Sequence, residues 1–250
     1  MQTNTVLNYR MHISQLVIDD KEPVLLNTLS LDDTNRQMIL QMIKEHRYAD
    51  QLRQYGLPVN NKLLLYGASG CGKTSAAKAI AQALGKKFMP VNLSNIISAR
   101  IGETARHMQL LFDAAAREKA VLFLDEFDQL AKARSTDDKD VGEMRRLVNS
   151  LIQLIDYLSM DAVLVCASNH LSFIDGALLR RFQLKAAFVL PGQQVLDAYY
   201  NRLLENFPPA MQQISRLYGI SFAEARDHAF TAVKNLLINE MELQHDIVAL

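Results

Sequence analysis

Apolar residues fall in two rhythms along this chain. Three runs, Leu63-Leu64-Leu65, Val121-Leu122-Phe123-Leu124 and Ala162-Val163-Leu164-Val165-Cys166, contain no polar position. Strands covered on both faces need such uninterrupted apolar runs. Elsewhere apolar residues recur every three or four positions, the period of a helix with one buried face. Met38, Ile39, Met42 and Ile43 mark a helix starting at Asp32-Asp33-Thr34, with Thr34 or Asp33 as its cap. Ala105, Met108, Leu111, Phe112 and Ala115 mark a second over Glu103–Lys119, and Glu143–Leu158 a third. Lys87–Leu93 and Lys185–Leu190 read as further strands, and Pro90 assigns the first of them to a sheet edge. Strand and helix alternate, which predicts a doubly wound α/β sheet. From Val195 onward only helical periods remain: Val195–Phe207, Ala210–Leu217, and Phe222 to about Leu243, divided by Pro208-Pro209 and Gly219. The expected organisation is a segment 1–30, an α/β core 31–191, and a small helical lid 192–250. Ser135–Val141, with its Asp137-Asp138-Lys139-Asp140 cluster, reads as a solvated loop.

Composition narrows the function classes. Lys plus Arg and Asp plus Glu each number 27, so the net charge is zero. That balance argues against coating nucleic acid or anionic membrane through bulk charge and leaves a local basic patch open. The two cysteines, Cys71 and Cys166, are far apart and form no C-x-x-C, as expected of a reducing cytoplasm. Histidines stand singly, without H-E-x-x-H or a Cys/His cluster. No apolar run approaches the ~18 residues of a membrane span, and Met1–Arg10 lacks the layout of a signal peptide. A soluble, cytoplasmic chain with no membrane role is the expectation.

The chemistry centres on one stretch. The strand Lys62–Tyr66 runs into Gly67-Ala68-Ser69-Gly70-Cys71-Gly72-Lys73-Thr74, and an alanine-rich helix follows from Ser75 to Leu84. The turn fits G-x-x-x-x-G-K-[ST], a phosphate-binding loop. Polyphosphate must approach the backbone closely, and Gly67, Gly70 and Gly72 leave room for it. Successive N–H groups of Gly67–Ser75 form an anion nest at a helix N-terminus. Lys73 supplies a full charge to the β- and γ-phosphates, and the Thr74 hydroxyl can bind Mg²⁺. The cofactors expected are therefore ATP and Mg²⁺.

Three further elements follow in order. Asp125-Glu126 end an apolar strand, where ionised groups are costly without a partner or metal. Asp125 is read as a Mg²⁺ ligand, and Glu126 as the carboxylate that polarises the attacking water. Asn169 ends the next strand, beside Glu126, where an amide can orient water or donate to the γ-phosphate. An Asx turn leaving a strand is the alternative there. Arg180 and Arg181 close a short helix, a position that helix-dipole complementarity also favours.

Together these elements resemble the AAA ATPases, from about Leu57 to Pro191 and more loosely to about Leu237. Val121–Glu126 is similar to the family's Walker B strand, and Gly142–Asn149 resembles its E-R-R-V-V-N helix start. Tyr218–Glu224 resembles the lid turn G-F-S-G-A-D. The resemblance implies a five-stranded sheet in 5-1-4-3-2 order, with Asn169 as sensor 1. It also implies that Arg180 and Arg181 are paired fingers reaching a neighbouring subunit's ATP. A homo-oligomer, a hexamer, acting on a partner protein is implied with them. Two departures stand out. Arg100-Ile101-Gly102-Glu103 places Arg100 where many members carry a pore aromatic, so a pore lined by Arg100 and Ile101 suits an acidic peptide or a phosphate backbone. Phe222 replaces the lid glycine. With only about thirty residues before the core, no separate substrate-capturing domain is expected. Two function classes stay open: a ring ATPase that remodels a partner protein, and a nucleic-acid-associated switch or loader whose ATP cycle controls assembly on DNA.

Overall fold

The computed structural model describes residues 13, 16–20, 22–97, 101–132 and 138–248 of the chain. Of residues 101, 102, 131, 132, 138–144 and 243–248 it describes the backbone alone. Helix α1 (Asp33–Arg47) and the short α2 (Ala49–Gln54) lead into β1 (Lys62–Gly67), α3 (Lys73–Ala83), β2 (Phe88–Asn92) and α4 (Leu93–Ile97). Next come α5 (Ile101–Glu118), β3 (Val121–Asp125), α6 (Gln129–Lys132), α7 (Asp138–Asp156), β4 (Val163–Ser168), α8 (Gly176–Leu179) and β5 (Leu184–Phe188). Helices α9 (Gln193–Leu204), α10 (Pro209–Gln212) and α11 (Phe222–Val248) complete the chain.

The five strands form one sheet in the order β2-β3-β4-β1-β5, which is the expected 5-1-4-3-2. The pairs β1–β4, β4–β3 and β3–β2 are parallel. Leu63, Leu64, Leu65, Val121, Leu122 and all of Val163–Cys166 have no exposed surface, so the uninterrupted apolar runs are the central strands. Pro90 lies in β2, at the sheet edge, and its carbonyl accepts from the Ile18 N–H. On α3, Ala76, Ala77, Ala79 and Ala81 are buried with Ile80, small residues that let a helix axis approach its packing partner closely. Among the described residues no helix is long and apolar enough to cross a membrane.

The chain divides into two compact units. One carries the sheet as far as Ala187 but excludes Ala68–Gly72; the other comprises Ala68–Gly72 and everything from Phe188. The second has its own core of Leu196, Tyr200, Leu204, Met211, Ala225, Ala229 and Val233.

Several boundaries depart from expectation for physical reasons. Asp32, not Asp33 or Thr34, caps α1, its carboxylate accepting from the Asn35 N–H at 2.9 Å. Helix α7 starts at Asp138, inside the stretch read as a loop, because acidic residues suit the positive end of a helix. The expected helix over Ala210–Leu217 stops at Gln212. Beyond it the backbone bonds elsewhere: Ser215 O meets His228 Nε2 at 2.8 Å, and the Leu217 N–H donates to the Tyr200 hydroxyl at 3.3 Å. Tertiary contacts override the helical periodicity there.

Candidate active site

Gly67, Asp125 and Asn169 lie at the C-terminal ends of β1, β3 and β4, where parallel sheets bind ligands. Helix α3 begins at Lys73, two residues earlier than expected. The N–H groups of Lys73, Thr74 and Ser75 are therefore those of its first turn, which lack intrahelical acceptors.

Lys73 is buried, with 8% of its surface exposed. Its ammonium donates to Gly67 O and to Asn169 Oδ1, both at 2.8 Å. Two neutral oxygens thus take two of its three protons and fix the charge at the end of β1. The Asn169 amide, expected beside Glu126 on the adjacent strand, also accepts from the loop lysine.

Thr74 Oγ1 lies 3.4 Å from Asp125 Oδ2, and the other oxygen of Asp125 accepts from the Glu126 N–H at 2.9 Å. Burial pushes the Asp125 carboxyl above its ordinary pKa, opposed by the Glu126 N–H and the Thr74 hydroxyl. A hydroxyl and a carboxylate oxygen facing each other are the hard donors Mg²⁺ takes, in a shell otherwise filled by water and phosphate. On this chemistry the residues fit a magnesium-bound triphosphate.

Glu126 has φ of 55°, a left-handed backbone that non-glycine residues adopt at a cost. The next residue holds it there: the Phe127 N–H donates to Ala167 O at 2.8 Å. The Glu126 carboxylate accepts a short hydrogen bond from Ser94 Oγ. Asp128 is 2% exposed, and its Oδ1 accepts from Ser168 Oγ at 3.0 Å and from the Asn169 N–H at 3.3 Å. Sequence reading missed Ser94 and Asp128. Asp128 follows the strand end as any turn carboxylate does, and only its burial sets it apart. Ser94 carries no local signal, but the pairing of Asn92 with Asp125 brings the residues just past β2 and β3 together.

In the loop, Gly67, Gly70 and Gly72 have φ of 125°, 70° and 96°, the region that favours glycine. Within the second unit, the Ala68 N–H donates to Phe188 O and Gly70 O accepts from the Ala223 N–H. A Cβ on Gly70 would lie 2.5 Å from Ser221 Oγ, so glycine is required there for space as well as for φ. Ser69 is exposed, and the Cys71 thiol is buried with Sγ 3.6 Å from Ser69 O.

The arginines differ from each other. Arg180 is exposed at the C-terminal cap of α8. Arg181 pairs with Asp156, Nε lying 3.3 Å from Oδ1. Arg100 lies outside the described residues, and so does the side chain of Ile101; the pore expected of them lies outside the described residues with them.

Comparison with known proteins shows the family. The family model "ATPase family associated with various cellular activities (AAA)" matches residues 63–190. An uncharacterized AAA family ATPase of Sinorhizobium fredii, y4kL, is 36% identical over 215 residues, covering 85% of this chain and 65% of its own length. The nuclear valosin-containing protein-like of Mus musculus is 34% identical over 164 residues, 64% of this chain and 19% of that protein. A proteasome-associated ATPase of Arthrobacter is 33% identical over 185 residues, 64% of this chain and 31% of that protein. The chain belongs to the AAA family of ATPases. It spans about two thirds or less of the length of each of these relatives.

Proposed function

We propose that the chain hydrolyses ATP as a ring-forming AAA ATPase, a hexamer, and couples the cycle to remodelling a partner protein. The observation that carries the reading is the convergence of Lys73, Thr74, Asp125, Glu126 and Asn169 at one sheet edge. Gly67–Ser75 take the polyphosphate through backbone N–H groups, and Lys73 adds charge where the β- and γ-phosphates lie. Thr74 and Asp125 would hold Mg²⁺. When bound, that ion neutralises negative charge that builds up on the phosphoryl oxygens.

Glu126 accepts the proton of the attacking water at its carboxylate. One oxygen of that carboxylate accepts from the Ser94 hydroxyl, which orients the group and leaves it acceptor sites for the proton. Asn169 orients the water or the terminal phosphate from the position in which Asp128 and Lys73 hold it. Charge developing in the transition state still needs a cation from outside the pocket. The segment that carries Arg180 and Arg181 serves a neighbour in that role, a contribution of about 10³–10⁵ in rate. Relatives named proteasome-associated ATPases support the remodelling half of the reading.

Mixing two inactive subunits tests the ring. An Arg180→Ala/Arg181→Ala chain keeps its pocket, and a Lys73→Ala chain keeps its arginines. Turnover should return on mixing, in proportion to mixed interfaces. Co-assembled subunits that stay inactive would contradict trans-acting arginines.

A further inference from the structure

The two arginines of Leu178-Leu179-Arg180-Arg181-Phe182 are chemically alike, but the fold treats them differently. Leu178 is 1% exposed, Phe182 is 3% exposed, and Leu179 packs on the same core. Phe182 meets Phe127, the residue after Glu126, edge to face at 5.7 Å between ring centres. Arg181 is committed as well. Its Nε lies 3.3 and 3.4 Å from the two Asp156 oxygens, its Nη2 3.3 Å from Oδ2, and its Nη1 donates to Ala177 O at 3.0 Å. Among the described residues the Arg180 side chain has no hydrogen bond or ion pair, and it is exposed.

We infer that Arg180 alone is the finger of this segment, and that Arg181 is a positioning residue tethering it to the end of α7 through Asp156. The inference rests on the trans-acting reading above. Two physical arguments carry it. A guanidinium has five donors in one plane, and Arg181 turns three of its nitrogens inward on Asp156 and Ala177. Asp156 also matters for charge. A phosphate approached by an Arg181–Asp156 pair meets a net charge near zero, whereas Arg180 brings an uncompensated positive charge.

Helix α8 has only four residues. Its start is fixed by the Asp175 carboxylate, which accepts from the Ala177 N–H at 2.7 Å. Its end is fixed by the Arg181 bond to Ala177 O. Arg180 projects from between these two fixed points, so its reach depends on the tether. Asp156 closes the same helix, α7, that carries Leu147, Val148, Leu151 and Ile155 into the core around Phe127. The tether therefore ties the finger to the packing behind Glu126 of its own subunit.

The test is steady-state turnover of the assembled protein with Arg180→Ala, Arg181→Ala, Arg181→Lys, Asp156→Asn and the Arg181→Ala/Asp156→Asn double variant. Thermal unfolding and nucleotide affinity are measured on each to confirm a folded chain. Arg180→Ala should lower kcat by about 10³ or more. Arg181→Ala and Asp156→Asn should each lower kcat by about tenfold with KM unchanged. The double variant should be no worse than either single one, because both break one interaction. Arg181→Lys, which keeps a cation for Asp156, should retain most of the turnover.

A second finger at Arg181 requires the opposite sign. Asp156→Asn would free that arginine and leave turnover unchanged or raised, while Arg181→Ala and Arg181→Lys would fall as far as Arg180→Ala. That pattern overturns the tether and leaves the trans-acting reading standing. Wild-type turnover by Arg180→Ala removes the trans-acting finger and the tether with it.

Discussion

The two ends of the same parallel strands carry polar networks of opposite character. At the N-terminal ends, Asp161 accepts from Arg53 at 2.5 Å and from Lys119 at 2.9 Å, and its carbonyl accepts from Lys86 Nζ at 2.5 Å. Nearby, buried Asn61 donates to Ser159 O and Ala162 O at 3.1 and 3.0 Å. Charges there meet opposite charges in the open, and buried donors meet carbonyls. These interactions close the fold, with Asn61 Oδ1 buried there without a hydrogen-bond partner among the described residues. At the C-terminal ends, a buried ammonium is held by neutral oxygens, and a half-buried carboxylate sits above its usual pKa. Glu126 beside them has a left-handed backbone. Strain alone does not separate the two ends, since Lys119 beside Asp161 has φ of 51°; the convergence of Lys73, Thr74, Asp125 and Asn169 at one strand edge does.

Two aspartates sharpen this contrast. Asp128 belongs to the C-terminal end, and removing it should have the larger effect. Asp128→Ala leaves Ser168 Oγ and the Asn169 N–H without their acceptor, at about 1–3 kcal/mol of stability. Asn169 then loses its anchor beside Lys73, and kcat should fall by roughly 10- to 100-fold, a barrier change of about 1.4–2.7 kcal/mol. Asp128→Asn keeps a carbonyl oxygen at the same place and should lose far less. Kinetics and thermal unfolding on both variants check this; equal losses in the two would mean that the negative charge, not the hydrogen bonds, is what matters.

Asp161 belongs to the other end, and its effect should be small and confined to stability. Hydrogen bonds from Lys119 and Arg53 hold its carboxyl at a pKa of about 2, below the ~3.9 of a free aspartate. A carboxylate with a depressed folded pKa stabilises above its unfolded pKa and loses that stability as pH falls through the folded one. Asp161→Asn should therefore lower the unfolding midpoint at pH 7, by no more than the ~1 kcal/mol typical of surface pairs. The gap to wild type should close between about pH 4 and pH 2, with turnover per folded molecule unchanged. A gap that widened on acidification would break the comparison.

The legibility of the two ends differs for the same reason. Sequence exposes what is local. The unbroken apolar runs became β1, β3 and β4, and Gly67–Thr74 is legible as a phosphate loop from its own spacing with the strand before it and the helix after it. Asp125 and Glu126 were found because carboxylates ending a buried strand need a reason. Ser94, Asp128 and Asp156 were not, because their roles depend on partners that packing supplies. Ser94 finds Glu126 across the β2–β3 pairing, Asp128 binds Asn169 41 residues away, and Asp156 meets Arg181 25 residues away. The pair Arg180-Arg181 read as one feature for the same reason: nothing adjacent in sequence tells them apart.

The central claim, that this sheet edge is built to hydrolyse ATP, is tested most directly by Glu126→Gln. The substitution keeps size and hydrogen-bonding capacity but removes the base that takes the proton from water. Lys73, Thr74 and Asp125 remain, so ATP should bind with an affinity within a few-fold of wild type. Single-turnover hydrolysis should fall by about 10³ or more, roughly 4 kcal/mol of barrier. Hydrolysis by Glu126→Gln at the wild-type rate would contradict the account.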